Sequence, residues 1–494
     1  MKLHEVPAKA VREALSGPMA SCVDTDASAE QRAEQGATAG AAAGATAARP
    51  RRVALISDHA SPLAAPGSID CGGQNVYVAH LARALAQAGI EVDVFTRRDA
   101  PDLPRVVQWH AGVRVIHVPA GPPRHVPKEA MLPHMGSFAR AVVRFARRQG
   151  AMYDLVHANF FMSGMVALHL KRVLGLPFVI TFHALGRVRR LAQGAADGFP
   201  AERMGIEAAL MRSADRIVAE CPQDRLDMEQ LYGAAPARIA VVPCGFAPDE
   251  FRPVPMPEAR RRLDIPPECF VVLQLGRMVP RKGIDTVIQG VAMLRQRHGV
   301  NAGLVVVGGD DGHGHARRGP NGAAGTGDVS GTRDGAELGR LRQLARELGV
   351  AQHVRFAGRQ PRAALRDYYS AADVFASTPW YEPFGITPVE AMACARPVVG
   401  AEVGGIKSTV LDGVTGYLVP PRDPAALAER LARLHRQPAL AQTMGNTGRA
   451  RACEHYTWQR VAQQVMALYQ EVLDEHRAAA ELALAARPCI APLQ

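Results

Sequence analysis

Short apolar runs alternate with amphipathic helical patterns along most of this chain, the order typical of a parallel sheet covered by helices. In the first such stretch, an apolar run at 53–59 precedes a loop, a helix with Leu81 and Leu85 on one face, and a second run at 90–97. A βαβ unit of this kind joins parallel strands by a right-handed crossover. Because the alternation starts again at 271–278, we predict an α/β protein with two Rossmann-like halves.

The length of 494 residues suffices for two or three domains. The Ala/Gly-rich start has almost no bulky apolar residue, which predicts a disordered leader over residues 1–50. The Pro-rich string PVPMP marks a domain boundary. We therefore expect domains at 51–255 and 256–455, a mobile Gly-rich insert at 310–335, a helix at 456–475 and an Ala-rich tail at 476–494.

The formal net charge of +11 favours anionic partners such as sugar nucleotides and phosphates. Zinc-finger spacing, an RNA-recognition aromatic motif and a continuous basic helix are all missing from the sequence, so we expect no nucleic-acid partner. The charge also permits weak peripheral contact with an anionic membrane, although no amphipathic basic helix stands out.

The eight cysteines include no CxxC pair and fit neither a zinc site nor a disulfide scaffold. Reduced thiols in a cytosol fit this pattern best. The N-terminal residues lack the apolar centre of a signal peptide, and no apolar run reaches ~18 residues. These features predict a cytoplasmic protein.

Two carboxylates, Glu382 and Glu390, flank the start of a short helix that we predict from Pro388 to Ala395, with seven residues between them. Backbone N–H groups at Gly385, Ile386 and Thr387 are expected to point out of the helix N-terminus, where a phosphate or a sugar hydroxyl binds. The carboxylates suit the paired hydroxyls of a ribose or a hexose. The alternative is that Glu390 only complements the helix dipole and Glu382 is a solvated loop acid.

Basic residues stand at two further predicted strand ends. Arg277 and Lys282 lie five residues apart in a strand-to-helix loop, where two cations beside a helix N-terminus form a pyrophosphate clamp. They could instead be two solvated residues in a turn. His183 ends a predicted parallel strand, a position where open α/β sheets bind ligands, although a single His is more often structural. The Gly-rich insert carries His and Asp residues but nothing to fix their geometry, so we predict no metal site.

The E-x7-E string with FG inside it and VEA across its second Glu, together with GR-x-x-x-x-KG, resembles the donor site of the retaining GT-B glycosyltransferases of family 4. The resemblance covers about residues 52–473. It implies two Rossmann-like domains facing across a cleft, the first binding the acceptor and the second the nucleotide sugar, with a last helix that crosses back to the first domain. It also implies sugar transfer with retention, and neither a cofactor nor a metal.

The resemblance gives each matching residue a role. Arg277 and Lys282 would stabilise the leaving diphosphate, and Glu382 would hold hydroxyls of the donor sugar. His183 would contact the transferred sugar, and Glu390 the ribose. The donor-binding residues would be Gly72, Gly73, Phe384, Gly385, Ile386, Thr387 and Glu390. The acceptor-binding residues would be Asn75, Lys128 and Arg203.

Two groups within this family share features of the acceptor side. The string SIDCGGQNVYVAHLARAL is similar to the acceptor loop of the inositol-phosphate N-acetylglucosaminyltransferases of mycothiol synthesis, while KE-x-x-LPH resembles sucrose-phosphate synthases. Lys128 and Arg203 match two acceptor-phosphate residues of the former group. Phe160 and Ala184 stand where that group has Tyr and Thr hydroxyls. We therefore expect transfer of a hexose, most simply from a UDP-linked donor, to a hydroxyl of a small molecule or glycan, such as a sugar or a phosphosugar.

Two other functions remain open for such a fold. Nucleotide-sugar epimerases share the two-domain architecture but lack this E-x7-E string with FG. A non-catalytic sugar-nucleotide-binding protein need not keep every charged residue of the site. Product analysis separates the three, because it finds a new glycoside, an epimer or no product.

Overall fold

The computed structural model describes residues 50–64, 72–150, 152–309 and 333–485. The predicted leader up to residue 49, residues 310–332 of the insert predicted at 310–335, and the end of the predicted tail from 486 lie outside these residues. The last three residues of the predicted insert, 333–335, instead begin a helix. None of the helices in the described ranges is long and apolar enough to cross a membrane.

An eight-stranded sheet forms the first half of the chain, in the order β3-β4-β2-β1-β5-β6-β7-β8. The strands are β1 Arg52–Ile56, β2 Glu91–Arg97, β3 Val106–His110, β4 Val113–Val118, β5 Leu155–Asn159, β6 Phe178–Thr181, β7 Arg216–Ala219 and β8 Ile239–Val241. All neighbours pair in parallel except β3 and β4, which are antiparallel. Strands covered on both faces need apolar side chains on both, which is why β1 reads as a continuous apolar run with Val53 and Ile56 fully buried.

Helices connect the parallel strands of this sheet. They are α1 Gly73–Gln87, α2 Met135–Gln149, α3 Phe161–Leu174, α4 Gly186–Gln193, α5 Glu202–Ser213 and α6 Pro222–Tyr232. Two of them, α2 and α3, end at glycines, Gly150 and Gly175, which take the left-handed conformation that favours glycine.

The second half repeats this arrangement around a six-stranded, fully parallel sheet in the order β11-β10-β9-β12-β13-β14. Its strands are β9 Phe270–Leu275, β10 Ala302–Val307, β11 Val354–Gly358, β12 Val374–Ser377, β13 Val398–Ala401 and β14 Gly416–Val419. Its helices are α7 Met256–Arg262, α8 Ile284–His298, α9 Arg333–Glu347, α10 Arg362–Ala371, α11 Ile386–Ala393, α12 Ile406–Thr409, α13 Pro424–Arg436 and α14 Pro438–His455.

The last helix, α15 Trp458–Ala485, packs against the first half of the chain. The Tyr469 hydroxyl lies 2.7 Å from Nδ1 of His157 in β5, and the Trp458 ring stacks on His80 of α1 at 5.2 Å. The N–H of Phe246, between the two sheets, bonds the Tyr456 carbonyl at 2.7 Å. The two chain crossings between the halves therefore run side by side.

The structure differs from the sequence predictions at several elements. The sequence patterns do not predict the edge strand β3 or the helices α3, α4, α6, α7, α9, α10, α12 and α14. Helix α11 begins at Ile386 rather than at Pro388, because the first N–H groups of a helix are unpaired and a Pro in the first turn costs nothing. The last helix continues past residue 475 to Ala485, whereas the sequence analysis predicts a tail from 476. It continues because this segment consists largely of Ala, Leu and Glu, which have high helix propensity.

Both sheets contain a point where the strand order reverses, between β1 and β5 in the first and between β9 and β12 in the second. Open α/β sheets bind ligands beyond the carboxyl ends of the strands at such a point. Asn159 closes β5, His183 follows β6 closely, and Arg277 follows β9. The topology therefore brings the main predicted site residues to these two edges.

Candidate active site

An ion pair between Lys282 and Glu382 lies beyond the switch point of the second sheet. Lys282 ends a short 3-10 turn after β9, and Glu382 lies in the loop after β12. The Lys282 ammonium donates a hydrogen bond to the Glu382 carboxylate, and the two side chains are only 19% and 14% exposed. The structure thus joins two residues that the sequence places 100 positions apart.

The charges around this pair keep Glu382 ionised. Burial alone would raise the pKa of Glu382, but the positive charges of Lys282, Arg281 and Arg277 outweigh that effect and leave its pKa below the ordinary value. Burial lowers the pKa of Lys282, and Glu382 partly offsets this. Three cations and one carboxylate leave an excess of positive charge, which suits a diphosphate.

Close backbone contacts fix the loop that carries Glu382. Gly283 has φ of +64°, and a Cβ atom there would lie 1.9 Å from the Thr378 carbonyl oxygen. A Cβ atom at Gly404 would lie 1.8 Å from the Glu382 carbonyl oxygen, which also accepts a 3.1 Å hydrogen bond from the Gly405 N–H. Only glycine permits these approaches, so both positions hold the Glu382 loop in place.

The N-terminus of α11 follows this loop. Gly385 is its N-cap residue with φ of +94°, and Ile386 and Thr387 supply first-turn N–H groups. The Phe384 ring is 3% exposed and lies 5.9 Å from the Tyr456 ring in the core. Of these predicted donor-binding residues, Phe384 can therefore reach a ligand through its backbone but not through its ring.

Glu390 lies within α11 and is buried, with its side chain 3% exposed. The Tyr369 hydroxyl donates to one carboxylate oxygen at 2.9 Å, and Arg362 lies 3.1 Å from the other. Burial raises the pKa of Glu390 even though Arg362 and Tyr369 act in the opposite direction. Arg362 also bonds Glu250, in the segment between the two sheets. A ribose hydroxyl at Glu390 would have to share the carboxylate with Tyr369 and Arg362. The role of Glu390 in binding the ribose stays a prediction.

His183 is held rigidly at the edge of the first sheet. Its Nδ1 lies 2.9 Å from Glu220, its Nε2 lies 3.0 Å from Oδ1 of Asn159, and its ring meets the Tyr77 ring edge to face at 4.8 Å. Its φ of +58° is uncommon for a residue other than glycine. A histidine in strained backbone with both ring nitrogens engaged is consistent with a functional role.

The Gly72–Gly73 turn brings the first half close to the second. A Cβ atom at Gly72 would lie 3.9 Å from Nε of Arg277, and one at Gly73 would lie 3.6 Å from Cδ1 of Ile386. Asn75, predicted to bind the acceptor, is 5% exposed. Its amide accepts from the Gly72 N–H at 3.0 Å and donates to the Ser61 carbonyl at 3.0 Å, so it shapes this turn.

Arg203, predicted to bind the acceptor, is buried inside the first half of the chain rather than at its surface. Arg203 is 1% exposed, pairs with Glu207 at 2.7 Å and donates to the Ala184 carbonyl. The rings of Phe160, Phe161 and Phe199 surround its guanidinium, with centroids 4.8, 4.9 and 4.4 Å from its Cζ atom. In this position Arg203 supports the loop after His183.

Lys128, the other residue predicted to bind an acceptor phosphate, is half-buried at the start of a 3-10 turn, Lys128–Ala130.

Five residues of this region were not identified from the sequence. They are Asn159 and Glu220, which hold His183, and Arg281, Tyr381 and Arg362, which surround the two predicted carboxylates. Asn159 and Glu220 end or follow parallel strands, and that position could have identified them. Within the described ranges, no group of three His, Cys, Asp or Glu side chains could hold a metal ion.

Comparison with known proteins gives matches over most of the chain. Residues 71–250 match the family model described as Glycosyltransferase Family 4, and residues 255–451 match the one described as Glycosyl transferases group 1. A D-inositol 3-phosphate glycosyltransferase of Acidothermus cellulolyticus is 39% identical over 89% of this chain and 94% of its own length. A protein of the same name from Thermobispora bispora is 37% identical over 87% of this chain and 97% of its own length.

Solved structures are similar over the same region. Sucrose-phosphate synthase from Thermosynechococcus elongatus covers 86% of this chain and 100% of its own, with 34% identity and a TM-score of 0.76. The Anabaena protein HepE, solved with UDP and glucose, covers 85% of this chain and 100% of its own, with 21% identity and a TM-score of 0.65. The latter similarity concerns the fold alone.

Proposed function

This chain belongs to the family 4 glycosyltransferases of GT-B fold, and from that membership we propose that it transfers a hexose from a UDP-linked donor to a hydroxyl group of a sugar or phosphosugar acceptor, with retention of configuration. The observation that carries the proposal is the Lys282–Glu382 pair, which lies at the switch point of the second sheet. The Gly72–Gly73 turn of the first half lies next to this edge. Reduced cysteines, five of them free in the described ranges, fit a cytoplasmic enzyme.

On the donor side, we assign the diphosphate to Arg277, Lys282 and the first N–H groups of α11. Positive charges and helix N–H groups in a partly buried site stabilise the negative charge that develops on a leaving diphosphate. They supply charge that a metal ion would otherwise supply, so the proposal requires no metal. Glu382, kept ionised by its neighbours, would accept hydrogen bonds from hydroxyls of the donor sugar.

Transfer exchanges one bond for another at the anomeric carbon of the sugar. The bond from this carbon to the diphosphate oxygen breaks, and a bond to the acceptor oxygen forms on the same face. The proton of the acceptor hydroxyl passes to an oxygen of the departing diphosphate, so no protein base is needed. His183, fixed by Glu220 and Asn159, would contact the transferred sugar.

The residues predicted to bind the acceptor support a wider range of acceptor molecules than the names of the relatives suggest. Those relatives are named for D-inositol 3-phosphate. In this chain Phe160 and Ala184 carry no hydroxyl, and Arg203 is enclosed by aromatic rings and paired with Glu207. Lys128 remains on the acceptor side. We therefore propose a sugar or phosphosugar acceptor and do not restrict it to an inositol phosphate.

Calorimetric titration of the protein with UDP, GDP and ADP tests the donor assignment. We expect micromolar binding of UDP that is lost in Arg277→Ala and weakened in Glu390→Gln, which keeps the shape of the buried side chain. Arg262→Ala is the matched control, because Arg262 pairs with Glu258 and Asp367 on the surface of the same half and is 45% exposed.

The reaction is then tested with UDP-hexoses and a panel of sugar and phosphosugar acceptors. A new glycoside supports the proposal, whereas an epimerised nucleotide sugar or an unchanged donor would favour the epimerase or the non-catalytic protein. Failure to bind any of the three nucleotides would contradict the donor-site assignment itself.

A further inference from the structure

We infer that Tyr381 is a positioning residue that aligns the two halves for transfer, by accepting hydrogen bonds across the cleft from helix α4. Nε2 of Gln193 lies 3.1 Å from the Tyr381 hydroxyl oxygen, and Nη1 of Arg189 lies 3.4 Å from it. Both donors belong to the first half and Tyr381 belongs to the second. The inference rests on the proposed function, because it concerns the same cleft.

On the first half, α4 is attached firmly to the loop that carries His183. The helix begins at Gly186, whose N–H donates to the Glu207 carboxylate at 2.9 Å. Arg189 donates twice to Asp197, at 3.0 and 2.8 Å, and its guanidinium lies over the Phe199 ring at 5.1 Å. Because α4 begins three residues after His183, we expect a displacement of α4 to move the His183 loop with it.

On the second half, Tyr381 is one peptide bond away from Glu382. Its side chain is buried, with the residue 8% exposed, and the Arg281 guanidinium lies over its ring at 5.1 Å. Arg281 directly precedes Lys282, which pairs with Glu382. The position of the Tyr381 hydroxyl is thus linked through short backbone segments to both charged residues of the donor site.

These contacts connect donor and acceptor sides through one hydroxyl group. If it is removed, the residues assigned to the nucleotide all remain, but α4 and the His183 loop lose their attachment to the Glu382 loop. An acceptor held by the first half is then poorly aligned with the donor sugar, and water can take its place. Water attack forms a bond from its oxygen to the anomeric carbon, breaks the bond to the diphosphate and passes a proton to it, giving free hexose and UDP.

The test compares Tyr381→Phe with the unchanged protein. We expect an unchanged affinity for UDP, a rise of about fivefold in the acceptor KM and a larger share of donor released as free hexose. The figure of about fivefold corresponds to the loss of the 3.1 Å hydrogen bond from Gln193, because the 3.4 Å contact of Arg189 is too long to add much. Tyr153→Phe is the matched control, because it also removes a buried phenol hydroxyl, which donates to Asp93 at 2.6 Å within the first half. This control should lower thermal stability without changing the ratio of free hexose to glycoside.

A double variant tests whether the two side chains act through their contact. Gln193→Ala alone should reproduce the rise in acceptor KM, and Tyr381→Phe/Gln193→Ala should be no worse than the poorer single variant. Effects that multiply would show that the two residues act independently and would overturn the inference. If Tyr381→Phe does not fold, Gln193→Ala, a change at a half-buried helical position, carries the same test.

Small-angle scattering in the presence of UDP gives a readout that does not depend on the reaction. We expect a larger radius of gyration for Tyr381→Phe than for the unchanged protein and for Tyr153→Phe. Equal scattering together with an equal acceptor KM and product ratio would overturn the inference and leave the proposed function standing. Absence of any glycoside with the unchanged protein would instead overturn the proposed function, while scattering still decides whether Tyr381 joins the halves.

Discussion

Substitution of Lys282 by Ala is the most direct perturbation of the proposed donor site. The Lys282 side chain is only 19% exposed, and its ammonium bonds Glu382. The change removes one of three positive charges near the site and leaves Arg277 and Arg281 beside the carboxylate. It should therefore weaken the stabilisation of the leaving diphosphate more than it disturbs the fold.

The size of the effect follows from the surroundings of the pair. Removal of one charge partner of a transition state in a partly buried site costs about 2–4 kcal/mol, or roughly 30- to 1000-fold in kcat. Breaking a buried ion pair costs about 3–5 kcal/mol of stability when the remaining charge is uncompensated. Because two arginines still neutralise Glu382, we expect a smaller stability loss, about 1–3 kcal/mol.

The assay measures kcat and KM of transfer with saturating acceptor, and unfolding by urea. Lys171→Ala is the matched control, since Lys171 also pairs with a carboxylate, Asp215 at 2.7 Å, but on the surface of the first half with 34% exposure. This control should leave kcat unchanged. A Lys282→Ala protein that is folded and turns over at the rate of the control would refute the assignment of Lys282 to the leaving group.

Three further predictions address the same site. Gly404→Ala should destabilise the protein by more than ~3 kcal/mol, because its Cβ would clash with the Glu382 carbonyl. Gly413 is the control: it also has a positive φ but has open space around it, so Gly413→Ala should cost only roughly 1–2 kcal/mol. Equal urea midpoints for the two variants would contradict this prediction. Glu382 has a lowered pKa in the folded state, so its contribution to stability is complete above the unfolded value of about 4.3 and is lost as pH falls through the lower folded value. The stability difference between the unchanged protein and Glu382→Gln, measured by urea unfolding, should thus be large at neutral pH and shrink in acid. A difference independent of pH would show that ionisation of Glu382 does not contribute to stability and would contradict the lowered pKa. His183→Asn, which tolerates the φ of +58°, should retain UDP binding in calorimetry but lose about 10²-fold in kcat, and an unaltered kcat would remove His183 from the reaction.

Local sequence patterns were sufficient to predict the architecture. Apolar runs separated by amphipathic helices predicted two parallel α/β halves, and the sheet topology together with the family comparisons confirms this. The reason is that strands buried on both faces and helices with one apolar face leave a periodic signature in neighbouring residues. Edge strand β3 was not predicted, because its residues alternate between exposed and half-buried positions and it lacks the apolar run of a central strand.

The spacing of the polar residues also placed several of them correctly along the chain. Arg277 and Lys282 follow β9 and Glu382 follows β12, as their local sequence signals suggested, whereas α11 begins two residues earlier than predicted and Gly385 caps it. Positions at strand ends and helix starts depend on residues only a few places away. Such positions are therefore accessible from the sequence.

The direction in which each side chain points was decided by tertiary structure. Glu390 and Arg203 both look like open binding groups in the sequence, yet Glu390 faces Tyr369 and Arg362, and Arg203 is enclosed by three aromatic rings. The contact of Tyr381 with Gln193 joins residues 188 positions apart. Burial and pairing depend on groups that arrive from distant parts of the chain. The sequence therefore determined which chemical groups reach the two sheet edges, whereas packing within each half decided which of them are exposed or paired, and packing between the halves decided which are joined across the cleft.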